Sequence, residues 1–132
     1  MVRIKRFDEA YSDTVQARIA GITPQDYTRM GAPIRYLSKI LSKVDARIKL
    51  LITISDGKPD DFDVYRGRYG IEDTRQALIE ARRAGAHVFC ITIDTEAKEY
   101  LPHMYGAANF VVVDHVAKLP QKLSDIYRKL TA

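Results

Sequence analysis

LLITISDGKPDD, residues 50–61, decides how this chain folds. Leu50, Leu51, Ile52 and Ile54 are apolar, Thr53 is β-branched, and no charged residue alternates with them. A short continuous run of this kind predicts a strand over 49–55 that is covered on both faces, as strands of parallel sheets are. The Asp56-Gly57 pair that follows predicts a turn. Asp60, Asp61 and Asp63 lie in the same loop, so carboxylates gather at the mouth of the most hydrophobic strand of a chain whose net charge is +4.

Two more runs share this character: HVFCITID (87–94) and NFVVVD (109–114). Between the first two strands, EDTRQALIEARRAG (72–85) predicts a helix capped by Asp73, with Leu78 and Ile79 inward and Gly85 as its stop. Upstream, Ile34, Leu37, Ile40, Leu41 and Val44 recur at helical spacing, which predicts an amphipathic helix over 32–44. A short helix is expected over 11–22. VRIKRF (2–7) alternates apolar and basic residues and predicts a half-exposed edge strand. Downstream, Pro102 is expected to interrupt a helical turn, and LPQKLSDIYRKL (119–130) predicts a closing amphipathic helix. This alternation implies βαβ units: an α/β fold, with a Rossmann-like, open, mostly parallel sheet and helices on both faces. Such sheets bind ligands outside the carboxyl ends of their strands, where Asp56 and Asp94 fall.

With 132 residues, the chain is expected to form a single domain over 1–132. Hydrophobic residues make up 46% and charged residues 29%, an ordinary globular balance. No apolar stretch has the length of a membrane span, so no membrane insertion is expected. Cys90 is the single cysteine, which excludes a disulfide framework and makes the reducing cytoplasm the expected compartment. The pI near 9.2 allows non-specific contact with phosphate backbones. Yet the cations are scattered, with Lys5-Arg6 and Arg82-Arg83 the longest pairings, so a solvated mixed-charge surface is expected and no specific nucleic acid.

Neither GxGxxG, GxxxxGK[ST] nor GxSxG occurs, which disfavours dinucleotide, P-loop and serine-hydrolase chemistry. Cys90, in mid-strand, reads as a buried inert thiol. His87, His103 and His115 lack the spacing of a helical metal pair. Oxygen chemistry remains. Asp56, Asp60, Asp61 and Asp63, with Thr28 and Ser55 as hydroxyl partners, are the ligand types that hard divalent cations take. Each also has a plainer reading: Asp56 as a turn former, Thr28 as a helix cap, the other three aspartates as a solvated loop. A small metal-dependent α/β hydrolase or phosphotransfer enzyme using Asp56 stays open as an alternative. No nucleophile is paired with a base to support it.

DYTRMGAPIRYL (26–37) and the stretch from LLITISDGKPDD through YGIEDT to CITID (50–94) resemble the von Willebrand factor A domain, closest to the nitric-oxide-reductase activation (NorD) type. The resemblance covers essentially the whole chain. In that family a metal-ion-dependent adhesion site combines a D-x-S-x-S loop, a threonine matching Thr28 and an aspartate matching Asp56. The resemblance therefore implies metal ligands at Thr28 and Asp56, with Ser55, Asp60, Asp61 and Asp63 as an interaction loop. It implies Mg2+ or another divalent cation in the complete domain, weak or absent in this chain, because no D-x-S-x-S occurs in it. It further implies a non-enzymatic interaction module that works with a MoxR-type AAA+ ATPase on a client metalloenzyme, nitric oxide reductase. The chain resembles the later part of such a domain, an N-terminally truncated version. The absent first strand would pair beside 50–54, so that edge is expected to be open to homo-oligomer contact or to VRIKRF.

Overall fold

A computed structural model describes residues 3–23, 29–57 and 67–132. In chain order the elements are α1 (Asp13–Ala20), α2 (Gly31–Ser42), β1 (Leu50–Ser55), α3 (Gly67–Arg83), β2 (His87–Thr92), α4 (Leu101–Tyr105), β3 (Phe110–Val112) and α5 (Leu119–Thr131). Short 3-10 turns at Ala97–Glu99 and Val116–Lys118 precede α4 and α5.

The three continuous apolar runs form the sheet. β1 pairs in parallel with β2 from Leu50 opposite His87 to Ser55 opposite Thr92. β2 pairs in parallel with β3 from Cys90 opposite Phe110 to Thr92 opposite Val112. Spatial order follows chain order, β1-β2-β3, with α3 and then α4 as the crossovers. The α/β class and the parallel sheet expected from the pattern are therefore present.

Side chains of alternate strand residues point to opposite faces. Leu51, Val88 and Cys90 enter a core built with Ile34 and Leu41 of α2, Ala77, Leu78 and Ala81 of α3, and Tyr105 of α4. Ile52, Phe89, Ile91 and Val111 point the other way, toward Leu123, Ile126 and Leu130 of α5. One face is thus covered by three helices and the other by one.

This imbalance corrects the expectation for β1. Leu51 is buried, but Ile54 is 56% exposed, because β1 ends the described sheet and α5 covers the β2–β3 side. VRIKRF is not a strand either. Its described residues 3–6 have no regular structure and run into a turn at 7–9. The Arg3 guanidinium donates to Tyr36 Oη at 2.9 Å, and Arg18 of α1 donates to the Ile4 carbonyl at 3.0 Å. Those bonds tie the segment to α1 and α2, and a period-2 pattern without a paired edge makes no ladder.

Two helix ends also differ. Asp73 does not cap α3; it lies inside the helix, in its second turn. Its Oδ1 accepts from Arg35 Nη1 of α2 at 2.9 Å, while Arg35 Nε reaches Glu80 at 2.9 Å. Pro102 opens α4 instead of interrupting it, since a missing N–H costs nothing in a first helical turn. Gly85 does stop α3, at φ 97°, with Ala86 N–H on the Ala81 carbonyl and Gly85 N–H on the Arg82 carbonyl. This bond pair closes the helix around a left-handed residue, where glycine carries no Cβ penalty.

Candidate functional site

The carboxyl ends of β1 and β2 carry the polar groups. β1 runs out through Ser55 into Asp56 and Gly57. Ser55 Oγ donates to the Gly57 carbonyl at 2.7 Å and accepts from Gly57 N–H at 3.2 Å, so the hydroxyl is folded into its own turn. Asp56 is exposed, and among the described residues its carboxylate has no hydrogen-bond or ion-pair partner.

The end of β2 is built differently. Asp94 N–H donates to Thr92 Oγ1 at 3.1 Å, and Asp94 Oδ1 accepts from Glu96 N–H at 3.0 Å. Its Oδ2 accepts from the buried Tyr100 hydroxyl at 2.5 Å. Burial pushes the Tyr100 phenol well above its ordinary value, the bond to the Asp94 carboxylate adds to this, and the charge of Asp56 contributes in the same direction. Asp94 thus holds a turn together, whereas Asp56 stays available. Tyr100 escaped the sequence reading; an aromatic residue six positions after a strand-end aspartate, just before a proline-initiated helix, was the signal.

Beneath this rim the half-buried Thr53 meets the buried Tyr105 and Cys90. Thr53 Oγ1 donates to the Phe89 carbonyl at 3.4 Å and shares a 2.6 Å hydrogen bond with Tyr105 Oη. Burial raises both the Tyr105 phenol and the Cys90 thiol above their usual ranges. A fully buried thiol whose thiolate is disfavoured is a poor nucleophile, in keeping with the structural reading of Cys90.

Along the outer edge of β1 runs a groove of about 790 Å³. Ile52, Ile54 and Asp56, Pro33 and Leu37 of α2, and Val116 and Leu119 line it. Arg29 and Met30, the residues that enter α2, line the same groove as Ser55, Asp56 and Gly57. The chain directly after Thr28 and the loop holding Asp56 therefore converge. Thr28, Asp60, Asp61 and Asp63 themselves lie outside the described residues.

No group of three or more His, Cys, Asp or Glu side chains able to hold a metal occurs among the described residues. Asp56 is one free carboxylate, and Ser55 Oγ has already spent its proton and one lone pair within its turn. A hard divalent cation takes six or more oxygens, so these two residues alone do not fit one. Asp56 can instead act as an exposed anionic contact at the rim of an apolar groove. No helix among the described residues is long and apolar enough to cross a membrane.

No protein-family model matches the chain, and no solved structure matches it significantly. Among curated proteins it is similar to an uncharacterized protein of Pseudomonas aeruginosa, 51% identical over 127 residues, 96% of this chain and 21% of that protein. Protein NorD of Stutzerimonas stutzeri is 50% identical over 113 residues, 86% of this chain and 18% of that protein. Protein NorD of Brucella melitensis is 46% identical over 127 residues, 96% of this chain and 20% of that protein. The chain spans about a fifth of the length of these relatives.

Proposed function

We propose that this chain is an interaction module of a NorD-type activation protein, with a von Willebrand factor A-like fold. It works with a MoxR-type AAA+ ATPase to activate or mature nitric oxide reductase. The NorD relatives at 50% and 46% identity support the assignment to that type. The observation that carries the mode of action is Asp56: exposed, without a partner among the described residues, and set where the α2 entry and the apolar groove meet.

In this reading the module is not catalytic. Of the two strand-end aspartates, Asp94 is consumed by Tyr100 and Glu96, so among the described residues no second free carboxylate is paired with Asp56 for acid–base work. In the complete domain Thr28 and Asp56 would supply two of the oxygens that hold a divalent cation, and this chain alone would hold one weakly or not at all. Ser55, Asp60, Asp61 and Asp63 form the surrounding contact loop.

The test is a reductase-activation assay with a full-length NorD-type protein carrying Asp56→Ala at this position. Activation should fall by at least about tenfold, the loss expected when a charged contact worth about 1.4 kcal/mol or more is removed. Binding of the ATPase should weaken in the same variant, while its circular dichroism matches the parent. Full activity in a folded Asp56→Ala protein would reduce Asp56 to a turn residue and sink the reading.

A further inference from the structure

α2 and α3 share an apolar face, with Ile34 and Leu41 of α2 packed among Ala77, Leu78 and Ala81 of α3. Burial of this kind is non-directional, and the alignment of one helix along another is set more sharply by directed bonds. Arg35 of α2 supplies three. Its Nη1 donates to Asp73 Oδ1 at 2.9 Å, its Nη2 to the Asp73 carbonyl at 3.4 Å, and its Nε to Glu80 Oε2 at 2.9 Å. Asp73 and Glu80 lie about two turns apart on α3, so one planar guanidinium is pinned at two points.

The two carboxylates differ in what else they meet. Glu80 reaches α2 at Arg35. Asp73 reaches it at Arg35 and again at Gly31, one turn earlier, where its Oδ2 and Cγ leave no room for a Cβ. Gly31 is the first residue of α2, Met30 gives the helix no side-chain cap, and its first turn holds no acidic residue. The first N–H groups of a helix lack partners within it, and the positive end of its dipole favours a negative charge. The Asp73 carboxylate brings that charge across from α3.

The end seated in this way belongs to the contact region. Arg29 and Met30, which enter α2, line the same groove as Ser55, Asp56 and Gly57. The Asp56 bank is held locally, because the Ser55 hydroxyl bonds both the N–H and the carbonyl of Gly57. The α2 bank takes its anchor from another helix. We propose that Asp73 is a positioning residue for the contact site: with Arg35 it seats the entry of α2, and so sets Arg29 and Met30 against Asp56. The inference rests on the proposed role of Asp56, and adds to it a residue that does not itself line the groove.

The test compares Asp73→Asn with Glu80→Gln in a full-length NorD-type protein. Each removes one negative charge from the Arg35 fork and keeps the shape of the side chain, but only the first disturbs Gly31. Binding of the ATPase should weaken roughly 3- to 30-fold in Asp73→Asn and less than about twofold in Glu80→Gln. In an Asp56→Ala background Asp73→Asn should have no further effect, because it acts through that contact. Hydrogen exchange in peptides spanning the α2 entry should quicken in Asp73→Asn alone. Equal losses in the two variants, or none in Asp73→Asn, overturn the proposal, since the fork would then serve helix packing only. A loss that adds in full to that of Asp56→Ala does the same. An Asp56→Ala protein that binds the ATPase normally defeats the proposed contact instead. The seat is then decided by exchange, and equal rates in Asp73→Asn and the parent overturn it. If Asp73→Asn fails to fold, Gly31→Ala displaces the same carboxylate and takes its place under the same criteria.

Discussion

Gly31→Ala tests how α2 is seated. α2 begins without a side-chain cap from Met30 and without an acidic residue in its first turn. Asp73, reaching across from α3, stands where such a group would help. A Cβ on Gly31 would lie 2.0 Å from Asp73 Oδ2, 2.8 Å from its Cγ and 3.0 Å from Arg35 Nη1. These atoms end flexible side chains, so the backbone can stay while the carboxylate swings away. That motion gives up the 2.9 Å bond between Asp73 and Arg35, along with a negative charge at the positive end of α2. A bond between charged groups is worth about 1.5–3 kcal/mol when enclosed. Here the two side chains are 25% and 36% exposed, and water screens the pair to roughly 1 kcal/mol. The helix-end charge adds about 0.3–1 kcal/mol. Alanine's better helix propensity returns at most about 1 kcal/mol, and less in a first turn. The net expectation is a loss of roughly 1 kcal/mol, measured as a lower urea midpoint at unchanged slope. In an Asp73→Ala background the same substitution should be neutral or stabilising, giving a coupling of about 1–2 kcal/mol. A Gly31→Ala protein as stable as the parent, with no coupling to Asp73, would refute the reasoning.

Stability should fall with alkali. Tyr100 and Tyr105 have phenols raised by burial above the ordinary 10.0, so above pH 10 the unfolded chain sheds protons that the folded chain keeps, and ∂ΔG/∂pH turns negative. Spectrophotometric titration should find these two ionising last, in step with unfolding; early ionisation of every tyrosine would contradict their burial. Calorimetry with Mg2+ should find binding no tighter than about the millimolar range typical of poorly caged sites. Micromolar affinity that survives Asp56→Ala would place the cation elsewhere.

The strands were legible because each is a continuous apolar run, a pattern that is read without knowledge of its neighbours. α2 and α5 were legible from their apolar spacing, since Ile34 and Leu41, and then Leu123, Ile126 and Leu130, recur on one stripe. What escaped depends on contacts between segments. VRIKRF has a strand's pattern, but Arg3 and Arg18 hold it against helices, and no local rule reports where a guanidinium will find a carbonyl. Asp73 has a cap's composition and a suitable position before Leu78. Yet α3 is described from Gly67, which puts Asp73 inside the helix and turns its carboxylate to Arg35. The exposure of Ile54 follows from α5 covering one side of the sheet only, which is a property of packing and not of the strand.

Asp56 and Asp94 show how such contacts divide two residues that the sequence presents as equivalents. Both follow a continuous apolar strand at its carboxyl end. After β2 the chain turns at once into a 3-10 turn, and Tyr100 comes back within six residues to lock Asp94, with Glu96 N–H on its other oxygen. The tyrosine is buried, and separating the pair would forfeit a hydrogen bond to a charged group, at a cost of about 1.5–3 kcal/mol. After β1 the Ser55 hydroxyl turns inward onto Gly57 and leaves Asp56 facing solvent. A solvated carboxylate at the rim of an apolar groove loses little by meeting a cation or a basic side chain, because its own water is the only thing displaced. Asp94 would have to surrender two bonds first. The same residue type at the same point of a βα unit is therefore a structural tie in one place and a contact in the other, and the chain that follows each strand makes the difference.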